Sequence, residues 1–426
     1  MTSMTAVDDY FLSATNPLAN VDQREAEQRA FALTQTPQYR QAWSAAAQRW
    51  RELAGSAPTA EAWGRFDTLI DECMFANLLK AVNGDPSRPR VVRVAMPPHD
   101  WLGMSVPGSR FAGGPGANQI YTIVPVDFGG HYRIEGRWIG QPPADHNYTL
   151  SPNAYYMNSL ATFHHNDLVV DGAGRFTLTV GPEAGACNHI QTRPGAQYLF
   201  IRCCLSDWKQ TATALRVEAV DPPRTPPWTD EQVLGRAGQL ALDDAQGMFY
   251  WVRLYQNMPS NVVSQPKLTD DIGGLVSQTT SLGRVVLEED EALVITLDPA
   301  GAAFHDVQLS DYWFNSIGDY YGRIGTLNSA QTCYEANGCA TYVISLQDPG
   351  VHNWLDPNGL HETLFVARWQ RLPRDSHRRS PSIDAKRVKL RELDAALPPD
   401  AVRVNPQERR KQLDERLAQF HQRFAC

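Results

Sequence analysis

Residues 350–370, GVHNWLDPNGLHETLFVARWQ, contain a tight turn followed by a strand, and they fix the fold class of the C-terminal part of the chain. In Asp356-Pro357-Asn358-Gly359, proline at the second place and glycine at the fourth are typical of a type I turn, with Asp356 accepting turn N–H groups. Side chains alternate after the turn, and both resulting faces are largely apolar. This pattern predicts a central strand that is covered on both sides.

The two faces of this strand carry different polar groups. His361 is predicted on the face of Phe365, whereas Glu362 and Arg368 are predicted on the opposite face. Glu362 and Arg368 are six residues apart, about 20 Å along a strand, so they cannot pair with each other. Each needs another partner, because an unpaired buried charge is costly.

Short β-type runs with Gly-rich turns also fill the chain upstream of this strand. Their regular spacing favours antiparallel sandwiches over a parallel α/β sheet. The predicted strands lie in VVRVAM (91–96), NQIYTIVPV (118–126), HYRIEGRWIG (131–140), NDLVVD (166–171), RFTLTVG (175–181), AQYLFIRCCL (196–205), LRVEAVD (215–221), GRVVL (283–287), EALVITLD (291–298), FHDVQLSDYWF (304–314), ATYVISLQD (340–348) and ETLFVARWQ (362–370).

Helical periodicity appears in three other places. Residues 22–83 are predicted to be helical, with Asp22 as a cap, and a further helix is predicted from Thr229 to about Asn257. The charged tail from 383 to 425 is predicted to form a helical arm docked on the surface.

We therefore predict a mostly β, α+β protein with two antiparallel β-sandwich or jelly-roll-like units. The predicted regions are N-terminal helices (1–90), a first sandwich (91–225), a linking helix (226–265), a second sandwich (266–373) and a C-terminal helical arm (374–426). DPPRTPP at 221–227 marks the boundary after the first sandwich.

Composition restricts the function classes. A net charge of −8 argues against a general nucleic-acid role. No signal peptide and no apolar run of about 20 residues is present, which predicts a cytoplasmic protein without a membrane association. The seven cysteines lack metal-binding spacing, and adjacent Cys203 and Cys204 lie in an apolar run, so they are expected to be buried thiols. No nucleotide-binding or hydrolase signature occurs, so no cofactor and no metal are predicted.

Several linked phrases resemble a bacterial family of uncharacterised proteins. They are SLGR (281–284), DEALVITLDPAGAAFHDVQLSDYW (290–313), TLNSAQ (326–331), TYVISLQDPGVHNWLDPNGLHE (341–362) and RWQ (368–370), with GANQIYTIVPVDFGGHYRIEGR (116–137) upstream. The resemblance is to a domain-of-unknown-function family whose C-terminal β-sandwich carries an NWLD turn and a strand ending in RWQ. It covers about residues 110–372 and implies two sandwiches joined by a helix, with a link to lipid, steroid or aromatic catabolism. A small residue tends to follow NWLD in that family, whereas Pro357-Asn358 follow it here.

Ionisable residues around the C-terminal turn form a candidate catalytic group, since histidine titrates near neutral pH and can move protons. The candidates are His352, His361, Glu362, Asp311 and Tyr312. The alternative is that the turn and its neighbours only build the sandwich, with Asp356 in a turn role.

Aromatic and amide side chains nearby form a candidate binding surface for an apolar ring system. They are Trp313, Tyr320, Tyr321, Asn328, Gln331, Trp354 and Arg368. The alternative is that these residues are sandwich core.

These groups support two hypotheses from different classes. The first is a cofactor-independent acid–base enzyme, of lyase, dehydratase or isomerase type, acting on a hydrophobic small molecule such as a lipid, steroid, terpenoid or aromatic compound. The alternative is a non-catalytic β-sandwich module that binds a ligand or a protein, and a metal-dependent hydrolase is a third option. The helical regions are candidates for homo-oligomer contacts.

Overall fold

Two β-sandwiches and a helical layer packed against both make up the protein, whose computed structural model describes residues 9–110, 114–154, 159–268, 278–373 and 380–425. The helices of eight residues or more are α1 (Val21–Thr34), α2 (Pro37–Ala54), α4 (Phe66–Val82), α5 (Asp230–Gln256) and α7 (Pro406–His421), and the short ones are α3 (Ala60–Gly64) and α6 (Leu393–Ala396). The prediction of a mixed α+β fold with antiparallel sheets and helices near both ends is confirmed.

Capping side chains set where the helices begin. Thr229 caps α5 in a reciprocal capping box with Gln232, which satisfies two backbone N–H groups at the predicted position. Helix α1 begins one residue earlier than predicted, with Asn20 as its cap. Asp22 instead lies in the first turn and accepts a hydrogen bond from the Val91 backbone N–H at 3.0 Å, so its predicted capping role is wrong.

The first sandwich consists of a five-stranded and a four-stranded sheet. The five-stranded sheet has the order β1 (Val92–Val94), β4 (Gln119–Pro125), β10 (Tyr198–Cys204), β6 (Asp145–Ser151) and β7 (Ala161–Phe163). The four-stranded sheet has the order β11 (Ala214–Ala219), β5 (Tyr132–Arg137), β8 (Arg175–Gly181) and β9 (His189–Gln191). A short hairpin of β2 (His99–Trp101) and β3 (Met104–Val106) stands apart.

Burial differs sharply between these two sheets. Strand β5 alternates between buried and exposed residues, so one of its faces meets solvent. Strand β10 is buried along its whole length. Its inward side chains, such as Leu199 and Ile201, fill the sandwich core, and its outward side chains meet other parts of the protein.

The second sandwich repeats this arrangement with larger sheets. One sheet has the order β12 (Val262–Val263), β14 (Gln278–Val286), β20 (Glu362–Gln370), β16 (Phe304–Ser310) and β17 (Thr326–Asn328), with β13 (Lys267–Leu268) beside β14. The other has the order β19 (Trp354–Leu355), β18 (Ala340–Ile344), β15 (Glu291–Asp298) and β21 (Ser382–Lys389).

Strand β20 is central and covered on both faces, as its alternation predicts. It lies between β14 and β16, and Phe365 and Trp369 point into the sandwich core whereas Leu364 packs against the helical layer. The preceding turn differs from the predicted type I. Asn358 and Gly359 both have positive φ, 56° and 76°, and the Leu360 N–H donates to the Pro357 carbonyl at 3.2 Å. This is the Asn-Gly pattern of a type I′ turn, one residue further along the chain.

Two other predictions of secondary structure are wrong. Residues 168–170 form no strand, because a 3-10 turn occupies His165–Asp167 and the backbone N–H and carbonyl of Val169 then bond the Asn188 side chain. The predicted C-terminal arm is not helical throughout, because β21 pairs with β15 over eight positions and completes the second sandwich. Helix α7 follows and is docked through buried Arg416 and Phe420.

Candidate functional site

The histidines and the glutamate of the predicted catalytic group lie in different surroundings. The His361 side chain is 41% exposed, and its Nδ1 lies 2.7 Å from Oε1 of Glu61. The Glu362 side chain accepts a hydrogen bond from Arg284 at 2.7 Å. His352 lies beside helix α7, 3.2 Å from the Gln331 carbonyl, and burial lowers the pKa of its imidazole. Each side chain is engaged by a separate partner.

Asp311 and Tyr312 lie on the side of the second sandwich that meets the helices. Oδ1 of Asp311 accepts hydrogen bonds from the backbone N–H groups of Trp313 and Asn315, at 3.0 and 3.1 Å. Burial raises the pKa of Asp311 to about 6, although these hydrogen bonds oppose the shift. This carboxylate holds a turn, and the Tyr312 ring packs on Trp313 with centroids 5.0 Å apart.

Most of the predicted binding residues are packing or anchoring groups. Trp313 is fully buried among Trp50, Trp63 and Phe66, and its indole N–H donates to the Ala62 carbonyl. The remaining contacts are those of Tyr320 and Tyr321 with Phe420, of Gln331 with Arg416, and of Trp354 with the Ser345 carbonyl.

Asn328 and Arg368 do lie together, in a place that the sequence did not indicate. Both belong to a buried polar region where the five-stranded sheet of the first sandwich faces the β14–β20–β16 sheet of the second. We call this region the polar layer. It consists of the outward side chains of both sheets, namely Gln119, Tyr121, Asp145, Asn147, Thr149, Arg202, Cys204, Gln278, Thr280, Asp306, Gln308, Thr326, Asn328, Arg368 and Gln370, together with Asn118.

Strand register arranges the polar layer in rows. Arg202 on β10 lies between Tyr121 on β4 and Asn147 on β6. Across the interface, Arg368 on β20 lies between Thr280 and Asp306. Each sheet therefore presents one arginine from its interior, flanked by polar groups on neighbouring strands.

Side-chain hydrogen bonds cross the polar layer. Arg202 Nη1 donates to Oε1 of Gln278 at 3.0 Å. The Gln370 side-chain amide can form hydrogen bonds with two neighbours. In that orientation its oxygen accepts from Arg202 Nη2 at 3.2 Å, and its nitrogen donates to Asp145 Oδ2 at 2.5 Å. On the other side, Asn118 donates to Asp306 at 3.0 Å. Such a network is costly to bury unless its members are satisfied.

The positive charges of Arg368 and Arg202 are balanced by carboxylates to different extents. Arg368 lies 3.5 Å from Oδ1 of Asp306 and donates to the Gly114 carbonyl at 2.9 Å. Arg202 is 4% exposed and forms no ion pair with any residue that the structure describes. Its Nε also has no hydrogen-bond partner within the described ranges. Within the described part of the second sandwich, its polar contacts are with the side-chain amide oxygens of Gln278 and Gln370.

Two tyrosines lie close to these guanidinium groups. The positive charges of Arg368 and Arg202 both lower the pKa of Tyr121, against a larger increase caused by burial. Burial also raises the pKa of Tyr255 on α5, and Arg368 opposes that increase. The Tyr255 hydroxyl has no hydrogen-bond partner among the described residues. The Tyr255 hydroxyl and Arg202 Nε therefore lack hydrogen-bond partners among the described residues, which is the pattern expected where water or a ligand completes the network.

An apolar wall adjoins the polar layer. Phe200 is two residues from Arg202 on the same face of β10 and belongs to the helical core. Tyr255 and Phe314 are also part of that core, with ring centroids 4.8 Å apart. Phe314 has a φ of 60°, a rare conformation for a bulky residue. Apolar side chains of the helical core therefore lie next to the charged groups of the polar layer, a combination that an amphipathic ligand requires.

The sequence contained signals for two of the residues that were missed. Arg202 interrupts the apolar strand YLFIRCC, and Asp306 interrupts FHDVQLS at the start of another buried run. A charge within a strand that is otherwise apolar needs a buried partner, which places it at an interface or a site. Tyr121 and Tyr255 carried no such signal, because tyrosine is common in strands and in helix cores.

No helix in the described part of the chain is both long and apolar enough to cross a membrane. Within the same residues, no three His, Cys, Asp or Glu side chains are grouped as a metal site would require.

Comparison with known proteins gives a fold and no activity. No family model and no curated protein matches the chain. Among solved structures, the chain is similar to an uncharacterized protein from Burkholderia cenocepacia, with 20% identity and a TM-score of 0.68 over 86% of this chain and 100% of that one. A second similar structure, the VPA0106 protein from Vibrio parahaemolyticus, has 12% identity and a TM-score of 0.40 over 75% and 99% of the two chains. The predicted resemblance to uncharacterised bacterial proteins is confirmed at the level of the fold.

Proposed function

We propose that this protein binds a small amphipathic carboxylate in the polar layer, with the carboxylate at Arg202 and the apolar part along Phe200, Tyr255 and Phe314. The observation that carries the proposal is that Arg202 is buried without an ion-pair partner among the residues that the structure describes. A buried guanidinium is expensive without an anion, and a carboxylate matches its planar set of donors in a bidentate way.

The contacts of the neighbouring charges support this assignment. Asp306 accepts hydrogen bonds from Arg368 and Asn118, and Asp145 accepts one from Asn147 at 3.0 Å. Both carboxylates are thus occupied by other partners. Arg202 has the larger capacity for an added anion, and Arg368 increases the local positive potential.

A thermal-shift experiment tests the proposal with octanoate as the probe and octanol as its neutral match. Octanoate is expected to raise the melting temperature of the wild type by several degrees, since ligands that bind the native state stabilise it. Octanol should raise it much less. R202Q should lose the increase in melting temperature caused by octanoate. R202K keeps the positive charge but lacks the planar set of donors, so it should retain part of that increase.

R193Q is the matched control, since Arg193 is an exposed arginine whose side chain contacts Gln191 at 3.3 Å. It should respond to octanoate as the wild type does. Equal shifts with octanol and octanoate, or an unchanged octanoate shift in folded R202Q, would contradict the proposal.

We propose acid–base catalysis on such a ligand as a second candidate function, carried by Asp306. This carboxyl is fully buried, and burial raises its pKa while Arg368 and the amides oppose the increase. A carboxyl that is shifted toward neutral pH can exchange protons with a bound substrate. This keeps the predicted lyase or isomerase chemistry on a hydrophobic small molecule, but moves it from the C-terminal turn to the polar layer.

Deuterium incorporation distinguishes catalysis from binding. The substrates are a panel of medium-chain 2-oxo and 3-oxo carboxylates in D2O, followed by proton NMR. The protein should exchange the hydrogens on the carbon next to the carbonyl for deuterium faster than buffer alone does. D306N should abolish this exchange and keep the octanoate-induced thermal shift. No exchange above buffer for the panel, or unchanged exchange in D306N, would contradict the catalytic proposal and leave the binding proposal standing.

We also propose a cytoplasmic location and homo-oligomer contacts through the helices. Cell fractionation tests the location, and light scattering tests the oligomeric state.

A further inference from the structure

A groove of about 540 Å³ lies on the outer face of the four-stranded sheet of the first sandwich. Its floor is formed by neighbouring positions of strands β5, β8 and β11, and Phe11 from the N-terminal segment lines it. This face is turned away from the sandwich core, as the alternating burial of β5 and β8 demonstrates. The groove is therefore separate from the polar layer.

Two arginines stand side by side in this groove. Arg137 on β5 is directly opposite Arg175 on β8, and both side chains are exposed. Directly opposed residues of antiparallel strands have their Cβ atoms about 5 Å apart, and like charges in such pairs are destabilising. Neither arginine forms an ion pair with any residue in the described ranges. The two arginines therefore repel each other, although the net charge of the whole protein is −8.

Glu135 and Asp171, the two carboxylates that line the groove, already have partners. Glu135 lies on β5 and forms an ion pair with Arg133 at 2.8 Å. Oδ1 of Asp171 accepts hydrogen bonds from the backbone N–H groups of Ala173 and Arg175, each at 2.8 Å. These backbone contacts lower the pKa of Asp171 and hold its carboxylate at the turn that precedes β8.

A third arginine and two aromatic rings complete the groove. Arg216 on β11 lines it, and its guanidinium carbon lies 5.4 Å from the Tyr10 ring centroid. Tyr10 and Phe11 pack edge to face at 4.9 Å, which fixes the Phe11 ring beside the basic residues. A flat apolar group could therefore lie on Phe11 while its charged end reaches Arg137 and Arg175.

We propose that this groove binds the phosphomonoester group of a small molecule with a ring system, with Arg137 and Arg175 on the phosphate oxygens and Phe11 against the ring. A dianionic phosphate has three terminal oxygens and can accept hydrogen bonds from two guanidinium groups at once. It would also offset the repulsion between the two arginines. A carboxylate, with a single charge, would offset it less.

Titration calorimetry at low salt tests the proposal with phenyl phosphate as the probe, and with inorganic phosphate and benzoate for comparison. Phenyl phosphate is expected to bind more tightly than either of the others. R137Q and R175Q should each weaken it about two- to five-fold, the range expected for one exposed charged contact. F11A should weaken phenyl phosphate and leave inorganic phosphate unchanged.

R193Q is the matched control, because Arg193 is an exposed arginine that does not line the groove and whose side chain contacts Gln191. It should bind phenyl phosphate as the wild type does. A second measurement uses stability without ligand: R175Q should melt at the same temperature as the wild type or higher, since it removes a repulsion. Binding that is absent at millimolar phenyl phosphate, equally weakened by R193Q, or unchanged in the R137Q/R175Q double variant would overturn the proposal.

Discussion

Arg368 and Asp306 occupy directly opposed positions on strands β20 and β16, and Nη1 of the arginine lies 3.5 Å from Oδ1 of the aspartate. Both side chains are almost completely buried. Strand pairing within the second sandwich thus provides the partner that Arg368 was predicted to need. The pair also faces the first sandwich, because Asp306 accepts a hydrogen bond from Asn118.

Removing Arg368 should destabilise the protein in a pH-dependent way. R368Q leaves the Asp306 carboxylate without its cation, which is expected to cost about 3–5 kcal/mol near pH 7. Burial already raises the folded-state pKa of Asp306, and loss of Arg368 raises it further. The folded state then binds a proton that the unfolded state releases, so stability falls as pH rises between the two pKa values.

Urea unfolding of R368Q and the wild type at pH 5 and pH 7 measures this effect. The loss of stability should be smaller at pH 5 than at pH 7, because a larger fraction of Asp306 is protonated at the lower pH, and D306N/R368Q should recover part of it. R193Q should differ from the wild type by less than about 0.5 kcal/mol. An equal loss at both pH values would show that Asp306 is not the group left uncompensated.

Asp311 predicts a second pH dependence. Burial raises its folded-state pKa to about 6, above an ordinary value of 3.8. Its contribution to stability is therefore present in full below about pH 4 and is lost as pH rises toward 6. The loss is on the order of 2–3 kcal/mol. D311N keeps an oxygen for the Trp313 and Asn315 N–H groups, so it should flatten the stability profile between pH 4 and 6. An unchanged slope in D311N would contradict the assignment.

Glu72 and Arg110 fasten helix α4 to the second sandwich. Nε and Nη2 of Arg110 donate to the two carboxylate oxygens of Glu72, and Nη1 donates to the backbone carbonyls of Ser316 and Gly318. E72Q should lower the free energy of unfolding by about 3–5 kcal/mol, because it leaves a buried guanidinium unpaired. E52Q, which breaks an exposed pair with Arg49, should cost less than about 0.5 kcal/mol. Similar losses in E72Q and E52Q in denaturant titrations would refute this role.

Gly136 allows strand β5 to pass over the Phe176 ring. A Cβ atom at Gly136 would lie 2.0 Å from that ring, within the buried core of the first sandwich. G136A should therefore destabilise the protein by about 1–3 kcal/mol, as overpacking does. The smaller side chain of F176L should relieve part of this cost in the double variant. G129A, at a position with open space around it, is the control. Thermal melts in which G136A and G129A behave alike would be inconsistent with this packing.

The two sandwiches and the linking helix were predictable because they depend on local patterns. Alternation along residues 362–370 places Phe365 inward and Arg368 outward, and the Thr229-to-Gln232 spacing marks the start of α5. Strand β6, DHNYTLS, was not predicted because it carries polar residues on the face that meets the second sandwich. Periodicity does not predict which outer faces of the two sandwiches pack together, because that depends on contacts between residues far apart in sequence. The polar layer therefore could not be predicted from periodicity.

The C-terminal turn illustrates the same limit. Its histidines and carboxylates are close in sequence, but each is engaged by a residue that is distant along the chain, such as Glu61 for His361. H361A should therefore leave octanoate binding unchanged and cost less than about 1 kcal/mol of stability, because the pair is half-exposed. Calorimetry and denaturant unfolding check both points. Loss of octanoate binding in folded H361A would instead indicate that the ligand binds at the C-terminal turn.

A crystal structure with 4-bromobenzoate most directly tests binding of a carboxylate between the sandwiches. The bromine gives an anomalous signal that locates the ligand without prior assumptions about its site. We expect the carboxylate within hydrogen-bonding distance of Arg202 and the bromine toward Phe200, Tyr255 and Phe314, with no peak at this site in R202Q crystals. A bromine peak only at other sites, or an equal peak at this site in R202Q, would contradict the central claim.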